Sequence, residues 1–265
     1  MSTPDAPCST LRLGAVELTL TFLLLFGVTT IVRWVIGPSA VSDALAGTRL
    51  QLLAVGVSVG VLVTALIISP LGKRSGAHMN PAISLAMWRF GVLPGRAVVP
   101  YAMGQLTGSL LGVLAARGVW GSATSAPPVA YAALQPAPGW SPTGLFLAET
   151  SCTAAIALLV GLFLSVRRLT RITPYMVGVV VCLAITLLGA STGGSANPAR
   201  QFGPALAAGQ PGFLWVYLLA PVLGAALAPV ARDLLFARLT ALRERRRPPR
   251  PARSAAPDRG SGVDR

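Results

Sequence analysis

Long apolar stretches alternate with short polar connections along most of this chain. Six of them approach the roughly 20 apolar residues that a helix needs to cross a bilayer. They cover Leu13–Val32, Leu50–Leu71, Ala97–Ala116, Thr143–Val166, Pro174–Ser191 and Gly212–Ala231. Only two acidic residues, Glu17 and Glu149, lie within them. The pattern therefore predicts an all-α membrane protein with six transmembrane helices.

One tripeptide, Asn-Pro-Ala, interrupts this pattern twice. It occurs at Asn80, Pro81 and Ala82 and again at Asn197, Pro198 and Ala199. Proline suits the first helical position and asparagine suits the cap before it, so each copy predicts a helix start. The predicted helices are short, from Ala82 to about Arg89 and from Ala199 to about Ala208. Two such helices at corresponding places predict a pathway built from half-helices at the bilayer midplane.

The two halves of the chain repeat the same order of features. Each contains a span with a glutamate, a second span, a Gly/Ser-rich turn, Asn-Pro-Ala, a short helix and a third span. Three spans is an odd number, so the second unit must enter the membrane upside down relative to the first. We expect a membrane domain at 11–236, with repeats at about 11–120 and 143–236, after a short N-terminal segment, 1–10.

Glycines recur at four-residue spacing in two of the spans. Gly104, Gly108 and Gly112 do so in the third span, and Gly56 and Gly60 do so in the second. Small residues at this spacing let helices approach closely in lipid. Chance placement among the 28 glycines of the chain is a weaker explanation, because the spacing is strict.

Composition and charge agree with a membrane assignment. The 265 residues are 53% hydrophobic and 11% charged, with mean hydropathy +0.67, which is too apolar for a soluble domain. The net charge of +14 is distributed unevenly. Basic residues follow the second, fourth and sixth spans: Lys73, Arg74, Arg89, Arg96, Arg167, Arg168, Arg171 and Arg238 onward. By the positive-inside rule both termini are predicted to be cytoplasmic, and nucleic acid is not an expected partner.

The C-terminal segment changes in character from about Ala237, where arginine and proline become frequent. This composition predicts a disordered cytoplasmic tail over 237–265. Two interpretations of the tail stay open: it binds anionic membrane lipid, or it acts only as a topology determinant.

Metal and cofactor chemistry has little support in the sequence. Cys8 lies near the terminus, and Cys152 and Cys182 lie within spans, where a free thiol behaves as a small buried hydrophobe. The single histidine, His78, has no further metal ligands near it in the sequence. We expect no metal and no cofactor.

The segments around both Asn-Pro-Ala copies resemble the pore loops of the aquaporin, or major intrinsic protein, family. The first reads SGAHMNPA from Ser75 to Ala82, and the second reads GSANPARQFGPA from Gly194 to Ala205. The resemblance covers about residues 11–236 and is specific, because both motifs stand in the right place in both repeats. It implies an aquaporin-like bundle of six transmembrane helices plus two half-helices in an inverted 3+3 repeat. It also implies a homotetramer in the cell membrane.

The half-helices also indicate how such a channel excludes ions. Two helix N-termini that face each other place positive partial charges at the midplane, where they repel cations and hydronium. Asn80 and Asn197 are predicted to cap these helices through the side-chain oxygen, with the amide nitrogen free to donate to a passing solute.

Three charged residues take roles that the resemblance implies. Arg200 is similar to the arginine of the family's selectivity filter, on the outer side of the midplane, where it binds polar solutes and repels cations. An arginine that snorkels to the surface is the alternative. Glu17 and Glu149 correspond to glutamates that brace the pore loops, with a proton relay as the alternative.

The other filter positions depart from the family's strict water channels. A count back from the two asparagines gives Gly60, Ile185 and Gly194. Water-selective members usually carry phenylalanine and histidine at the first two of these positions. A shift of one residue would place Val59 there instead of Gly60. This set implies a wide opening, similar to that of nodulin-like members that pass boric acid and other neutral metalloid hydroxides.

Two residues after the second motif bear on the choice of solute. Gln201 stands where glycerol facilitators carry aspartate, and Ala205 is typical of water channels. The sequence predicts a passive channel for water and small uncharged solutes, such as glycerol or boric or arsenous acid, that excludes protons and ions. A strict water channel is the main alternative, before a secondary transporter with inverted repeats or a non-conducting interaction protein. An enzyme is not expected, because no nucleophile–base pair or metal cluster is visible.

Overall fold

The computed structural model describes residues 7–45 and 47–245, and every regular element among them is helical. The main helices are α1 Pro7–Val35, α2 Thr48–Ile68, α3 Pro81–Arg89, α4 Val98–Trp120, α5 Pro142–Ser165, α6 Thr173–Leu188, α7 Pro198–Ala207 and α8 Leu214–Arg245. Short helical turns lie at Ala40–Ala44, Gly72–Ser75, Gly95–Ala97, Gly121–Thr124, Ala130–Ala132 and Arg167–Thr170. The all-α prediction is confirmed, and the two half-helices are α3 and α7.

The spans differ from the prediction in one respect. Among the described residues, five helices are long and apolar enough to cross a membrane, namely α1, α2, α4, α5 and α8. The fifth predicted span, Pro174–Ser191, is shorter than expected, because α6 ends at Leu188 and contains 16 residues. At 1.5 Å per residue such a helix extends about 24 Å, less than the roughly 30 Å of a hydrocarbon core. The chain beyond Leu188 instead forms the loop that leads to α7.

The ends of the chain also differ from the prediction. α8 continues to Arg245, so 237–245 is helical and the predicted disorder is wrong there. Internal contacts divide the chain into one unit of Met1–Arg232 and a second of Asp233–Arg265. Residues 246–265, which hold the rest of the predicted tail, lie outside the described residues, as do residues 1–6. α1 begins at Pro7, inside the predicted N-terminal segment.

Glycines on α4 bring this helix close to α1. A Cβ atom built on Gly112 would lie 2.5 Å from the carbonyl oxygen of Phe22. Gly104 and Gly108 face the α1 backbone in the same way. A side chain at any of these positions would push the two helices apart. The predicted close-packing face of the third span is therefore confirmed.

The two halves use the same contact between their first and third spans. Gly108 of α4 lies against the carbonyl group of the residue after Glu17, and Gly224 of α8 lies against that of the residue after Glu149. The internal repeat therefore extends to side-chain packing. In each half, this packing places one buried glutamate beside the loop that leads to the half-helix.

Candidate functional site

Each half-helix begins at the proline of its Asn-Pro-Ala copy, as predicted. Asn80 caps α3, because its Oδ1 accepts hydrogen bonds from the backbone N–H groups of Ala82 (2.9 Å) and Ile83 (3.3 Å). Asn197 caps α7 with its Oδ1 2.9 Å from the nitrogen of Ala199. Both asparagines have an extended backbone, the usual conformation of a cap residue.

The two loops are also joined directly to each other. Asn80 Nδ2 donates a 2.9 Å hydrogen bond to the carbonyl oxygen of Ala196, and Asn197 Nδ2 donates one of 2.9 Å to that of Met79. An amide nitrogen carries two hydrogens, so each asparagine keeps one for other acceptors. The prediction of a free amide nitrogen is thus corrected in part. One N–H of each asparagine is occupied by the opposite loop, and this bond fixes the plane of the amide.

The loops before the asparagines share one backbone conformation. Three residues in each loop have positive φ, at equivalent positions before the asparagine. The pairs are Gly76 with Gly193 (91° and 88°), Ala77 with Gly194 (49° and 58°) and Met79 with Ala196 (48° and 45°). Residues with a side chain rarely adopt this conformation. Both loops must therefore be held in place by their surroundings.

Glu17 holds the first loop through four hydrogen bonds. Its Oε1 accepts from the Ser75 hydroxyl (2.6 Å) and from the His78 backbone N–H (3.0 Å). Its Oε2 accepts from the Met79 backbone N–H (2.7 Å) and from Gln105 Nε2 (2.7 Å). Glu17 is completely buried. The four donors offset the cost of placing a carboxylate inside a membrane protein.

Glu149 holds the second loop with fewer partners. It accepts from the backbone N–H groups of Ser195 (3.2 Å) and Ala196 (2.8 Å), one at each carboxylate oxygen. It is also completely buried. Thr192, which stands five residues before Asn197 as Ser75 does before Asn80, adds a side-chain hydrogen bond to Glu149. In the described part of the chain, Gln105 has no counterpart among the bonds to Glu149. The first loop is therefore fastened more firmly to its glutamate than the second.

Two tyrosines tie the loops to the third span of each half. The hydroxyl of Tyr101 on α4 donates to the carbonyl oxygen of Ser75 (2.8 Å), and that of Tyr217 on α8 donates to the carbonyl oxygen of Thr192 (2.6 Å). Both side chains are buried. Sequence analysis missed them, although a signal was present. They stand equally far before the packing glycines Gly108 and Gly224.

Arg200 lies in the first turn of α7 and is held by the segment between α4 and α5. Its Nη1 donates a 2.7 Å hydrogen bond to the carbonyl oxygen of Ala132. Ala130, Tyr131 and Ala132 are three successive left-handed residues, with φ of 42°, 57° and 61°. This conformation costs about 1–2 kcal/mol for each residue that has a side chain, so the bond from Arg200 stabilises a strained turn. Sequence analysis missed Ala132, because alanine does not mark a left-handed turn.

Gln201, the neighbour of Arg200, holds the same segment two residues further on. Its Oε1 accepts from the Leu134 backbone N–H (2.9 Å), and its Nε2 donates to the Leu134 carbonyl oxygen (2.9 Å). The Leu134 side chain packs against Gly193, where a Cβ atom would lie 2.9 Å from Leu134 Cδ1. The segment is therefore fixed against the second pore loop.

One cavity of about 590 Å³ runs past these groups. Residues of α1, α2, α3, α5, α6 and α7 form its wall, from Thr48 at the start of α2 to Thr173 at the start of α6. These two helices run in opposite directions, so the two threonines mark opposite ends of the bundle. The wall is mainly aliphatic, and Asn80, Asn197 and Arg200 are among the few polar residues that line it.

Two half-helices that meet beside a continuous cavity are the arrangement of a known family. A sequence model of the family described as major intrinsic protein matches residues 8–231. The chain belongs to the major intrinsic protein family. It is accordingly a passive transmembrane channel for water and small solutes, and members of this family are not enzymes.

Similar members of the family come from plants and archaea. Probable aquaporin NIP7-1 of Arabidopsis thaliana is 31% identical over 223 residues, which are 83% of this chain and 75% of that protein. Aquaporin AqpM of Methanothermobacter marburgensis is 35% identical over 69% of this chain and 76% of its own length. Among solved structures, the aquaglyceroporin from Plasmodium falciparum has a TM-score of 0.69 at 24% identity, covering 88% of this chain and 100% of that one. The channel therefore has the aquaporin-like fold.

Three of the four predicted filter residues line the channel cavity. They are Ile185 near the end of α6, Gly194 in the second pore loop and Arg200 in α7. A Cβ atom on Gly194 would lie 2.6 Å from the carbonyl oxygen of Ala184, and its φ of 58° also disfavours a side chain. Glycine at position 194 is thus required by the loop backbone and by its close contact with α6.

Gly60 is the fourth predicted filter residue, and its assignment is wrong. A Cβ atom at Gly60 would lie 2.5 Å from the carbonyl oxygen of Gly178, so this face of α2 packs against α6. Val59 lines the cavity instead, and Gly60 does not. The alternative of a one-residue shift, which places Val59 in the wall, therefore fits the structure better than the count to Gly60. The glycine spacing at this position serves helix packing alone.

The remaining candidates for chemistry among the described residues are one histidine and two cysteines. His78 lines the cavity, with Nδ1 3.1 Å from the Ser84 hydroxyl oxygen. Cys152 and Cys182 are free thiols of intermediate burial, and the Cys8 side chain lies outside the described residues. In the part of the chain that the structure describes, no three His, Cys, Asp or Glu side chains could together hold a metal ion.

Proposed function

We propose that this channel passes small uncharged solutes wider than water, as well as water itself. Glycerol and metalloid hydroxides such as boric and arsenous acid are the candidates. One observation carries the proposal: among the described residues, no Phe, Tyr or Trp lines the cavity. Aliphatic residues such as Val59 and Ile185 are found in the wall instead. The rings of these three residues are the largest apolar side chains that could narrow a pore, and the described part of the wall contains none of them.

Arg200 is the filter residue that selects for uncharged, polar solutes in this proposal. Its guanidinium carries a permanent charge and several donors, so it repels cations and binds hydroxyl groups. Ile185 offers an apolar contact on the wall, and Gly194 contributes backbone without a side chain. Glycerol, with hydroxyl groups on one side and C–H groups on the other, fits such a wall, and the hydroxyl groups of boric or arsenous acid can bind Arg200.

The two Asn-Pro-Ala copies are the barrier to protons and other cations in this proposal. The N-termini of α3 and α7 direct positive partial charge toward the region where the loops meet. The remaining N–H of Asn80 and of Asn197 donates to a passing oxygen, which turns the hydrogens of a water molecule outward and interrupts proton transfer. Pro81, Ala82, Pro198 and Ala199 form the helix starts that fix these donors.

Glu17 and Glu149 brace the pore loops in this proposal and do not carry protons. Among the described residues, the hydrogen bonds to their carboxylate oxygens come from donors of the loops or from Gln105. Both carboxylates are buried and neither is part of the cavity wall. This position suits bracing, since a proton relay must exchange protons with the solute pathway.

Assembly and location complete the proposal. We expect a homotetramer in the cell membrane, with both termini in the cytoplasm, as the positions of the basic residues favour. Large apolar side chains on the outer faces of α2 and α6 suit contact with lipid or with a second copy. They include Val57, Val61, Val179, Leu183 and Leu187.

Stopped-flow light scattering on proteoliposomes tests the solute range. Vesicles that contain the channel should shrink and reswell with water, glycerol and boric acid faster than empty vesicles do. A wild-type channel that accelerates water alone would contradict the proposal and leave a strict water channel.

A matched pair of variants tests whether the aliphatic wall sets this range. Val59 lines the cavity and is 4% exposed, whereas Val61 on the same helix is 64% exposed on the outer face. Val59→Phe should reduce glycerol and boric acid flux more than water flux, because a steric block acts on the larger solute first. Val61→Phe should leave all three fluxes unchanged. Equal reduction of all fluxes by Val59→Phe would show that this position is not part of a size filter.

A further inference from the structure

Gln201 makes a contact with the segment between α4 and α5 that the proposed function does not use. Its side chain is 1% exposed and forms both of its hydrogen bonds with a single residue, Leu134. An amide has one acceptor and one donor group, so it can bind a backbone N–H and the carbonyl group of the same residue together. An ionised glutamate or aspartate has acceptor oxygens and no donor, so it cannot form both of these hydrogen bonds.

Leu134, the residue that Gln201 binds, lies two positions after Ala132, whose carbonyl group orients Arg200. Ala132 accepts the hydrogen bond from Arg200 Nη1, and both Ala132 and Leu134 line the cavity. Arg200 and Gln201 are consecutive residues of α7, so the first turn of one half-helix holds this segment at two points.

The segment would not keep this conformation without support. Ala130, Tyr131 and Ala132 are left-handed residues in succession, and each has an extended or right-handed alternative of lower energy. If the clamp at Leu134 is lost, the turn can relax, and the Ala132 carbonyl can move away from the guanidinium. Arg200 then loses its fixed position in the wall.

We infer that Gln201 is a positioning residue for selectivity: it sets the opening beside Arg200 by clamping the Leu134 backbone. This inference rests on the proposed function, because it concerns which solutes pass Arg200. It assigns to Gln201 a part in the choice between water and larger solutes without contact with either.

The variant Gln201→Met tests the inference, because methionine has a similar length and shape but forms neither hydrogen bond. Loss of the two hydrogen bonds, each at the low end of the usual net range, changes a two-state equilibrium by about fivefold. We therefore expect the ratio of glycerol to water permeability in proteoliposomes to rise about fivefold. Gln210→Met is the matched control, since Gln210 bonds the side chain of Gln135 at the surface of the same segment. Its ratio should equal that of the wild type.

Hydrogen exchange supplies a second measurement that does not depend on transport. The Leu134 amide hydrogen is bonded to Gln201 Oε1, so exchange in a peptide over 130–135 should accelerate in Gln201→Met and not in Gln210→Met. If Gln201→Met does not fold, Gln201→Leu takes its place, because leucine also forms neither hydrogen bond and is smaller. Folding is checked by size-exclusion chromatography of the purified channel.

The outcomes separate the two proposals. A higher ratio together with faster exchange supports the inference. Faster exchange with an unchanged ratio, or unchanged exchange, overturns it. If the wild type passes neither water nor glycerol, the proposed function fails and the inference falls with it, while the exchange data still show whether the clamp exists.

Discussion

Asn80 reaches across to the opposite half of the chain, where its amide nitrogen lies 2.9 Å from the carbonyl oxygen of Ala196. Asn197 returns the same bond to the first loop, at Met79. Each asparagine therefore has two separate tasks. The oxygen caps its own half-helix, and the nitrogen joins the two loops.

An aspartate at position 80 would separate these two tasks. Asn80→Asp keeps the cap acceptor, but it loses the N–H to Ala196 and turns a carboxylate oxygen toward a carbonyl oxygen. Loss of this buried bond should lower the free energy of unfolding by about 1–3 kcal/mol. The added negative charge should also raise cation leak. Thermal unfolding of the purified protein and cation flux in proteoliposomes measure the two effects, and wild-type values for both would refute the cross-loop role.

The two buried glutamates should respond unequally to neutralisation. Each carboxylate oxygen of Glu17 accepts two hydrogen bonds, so Glu17→Gln leaves two donors without an acceptor. Glu149 has three donors for its two oxygens, so in Glu149→Gln the new nitrogen can take the place of the oxygen with a single bond. Each donor left without an acceptor costs about 1–3 kcal/mol, so Glu17→Gln should lower the unfolding temperature more. Equal unfolding temperatures would contradict the difference in hydrogen bonding between the two loops.

Wild-type vesicles with a pH gradient should show no proton leak coupled to solute flux. A leak comparable to that flux would favour the alternative role of the two glutamates as a proton relay.

Removal of the filter charge should change ion exclusion before it changes solute flux. In Arg200→Ala the cation barrier should weaken, while the flux of water and neutral solutes persists or rises. Arg171→Ala is the control, because it removes an equal charge from an exposed position. Sodium and potassium leak into proteoliposomes is the measurement. If a correctly folded Arg200→Ala channel leaks no more than Arg171→Ala, the cation barrier lies elsewhere.

Gly60 should tolerate no side chain, for reasons of packing. In Gly60→Ala the new methyl group would meet the carbonyl oxygen of Gly178, and overpacking of this kind costs about 1–3 kcal/mol. Gly118→Ala is the matched control, since nothing lies within 4 Å of a Cβ atom there. It should be neutral or slightly stabilising, because alanine favours a helix more than glycine does. Equal stability of the two variants would mean that α2 and α6 do not depend on this close contact.

Features with a short-range signature were predictable from the sequence. The Asn-Pro start of each half-helix depends on a cap and on a residue that fits the first turn, and both helices begin where they were predicted. The glycines of α4 also have a simple spacing. In contrast, the clamp between Gln201 and Leu134 joins residues far apart in the chain, so no local pattern reports it.

The filter shows why counting along a chain has limits. Gly60 and Val59 are adjacent in sequence but point in directions about 100° apart on a helix, so an error of one residue exchanges a packing face for the channel wall. Ile185, Gly194 and Arg200 were placed correctly in the wall, because each lies within a segment that leads directly to or from Asn197.

The reciprocal bonds between the loops have a consequence for biogenesis. A ribosome completes the first half of the chain well before residues 196 and 197 exist, so Asn80 and Met79 must wait near the middle of the bilayer without their partners. The two halves are therefore unequal during synthesis, although they are alike in the finished protein. The four bonds around Glu17 can keep the earlier loop folded through this interval, whereas the later loop meets a finished partner as soon as it is made. The two asparagine bonds between the loops are therefore the last contacts to form when the protein is made.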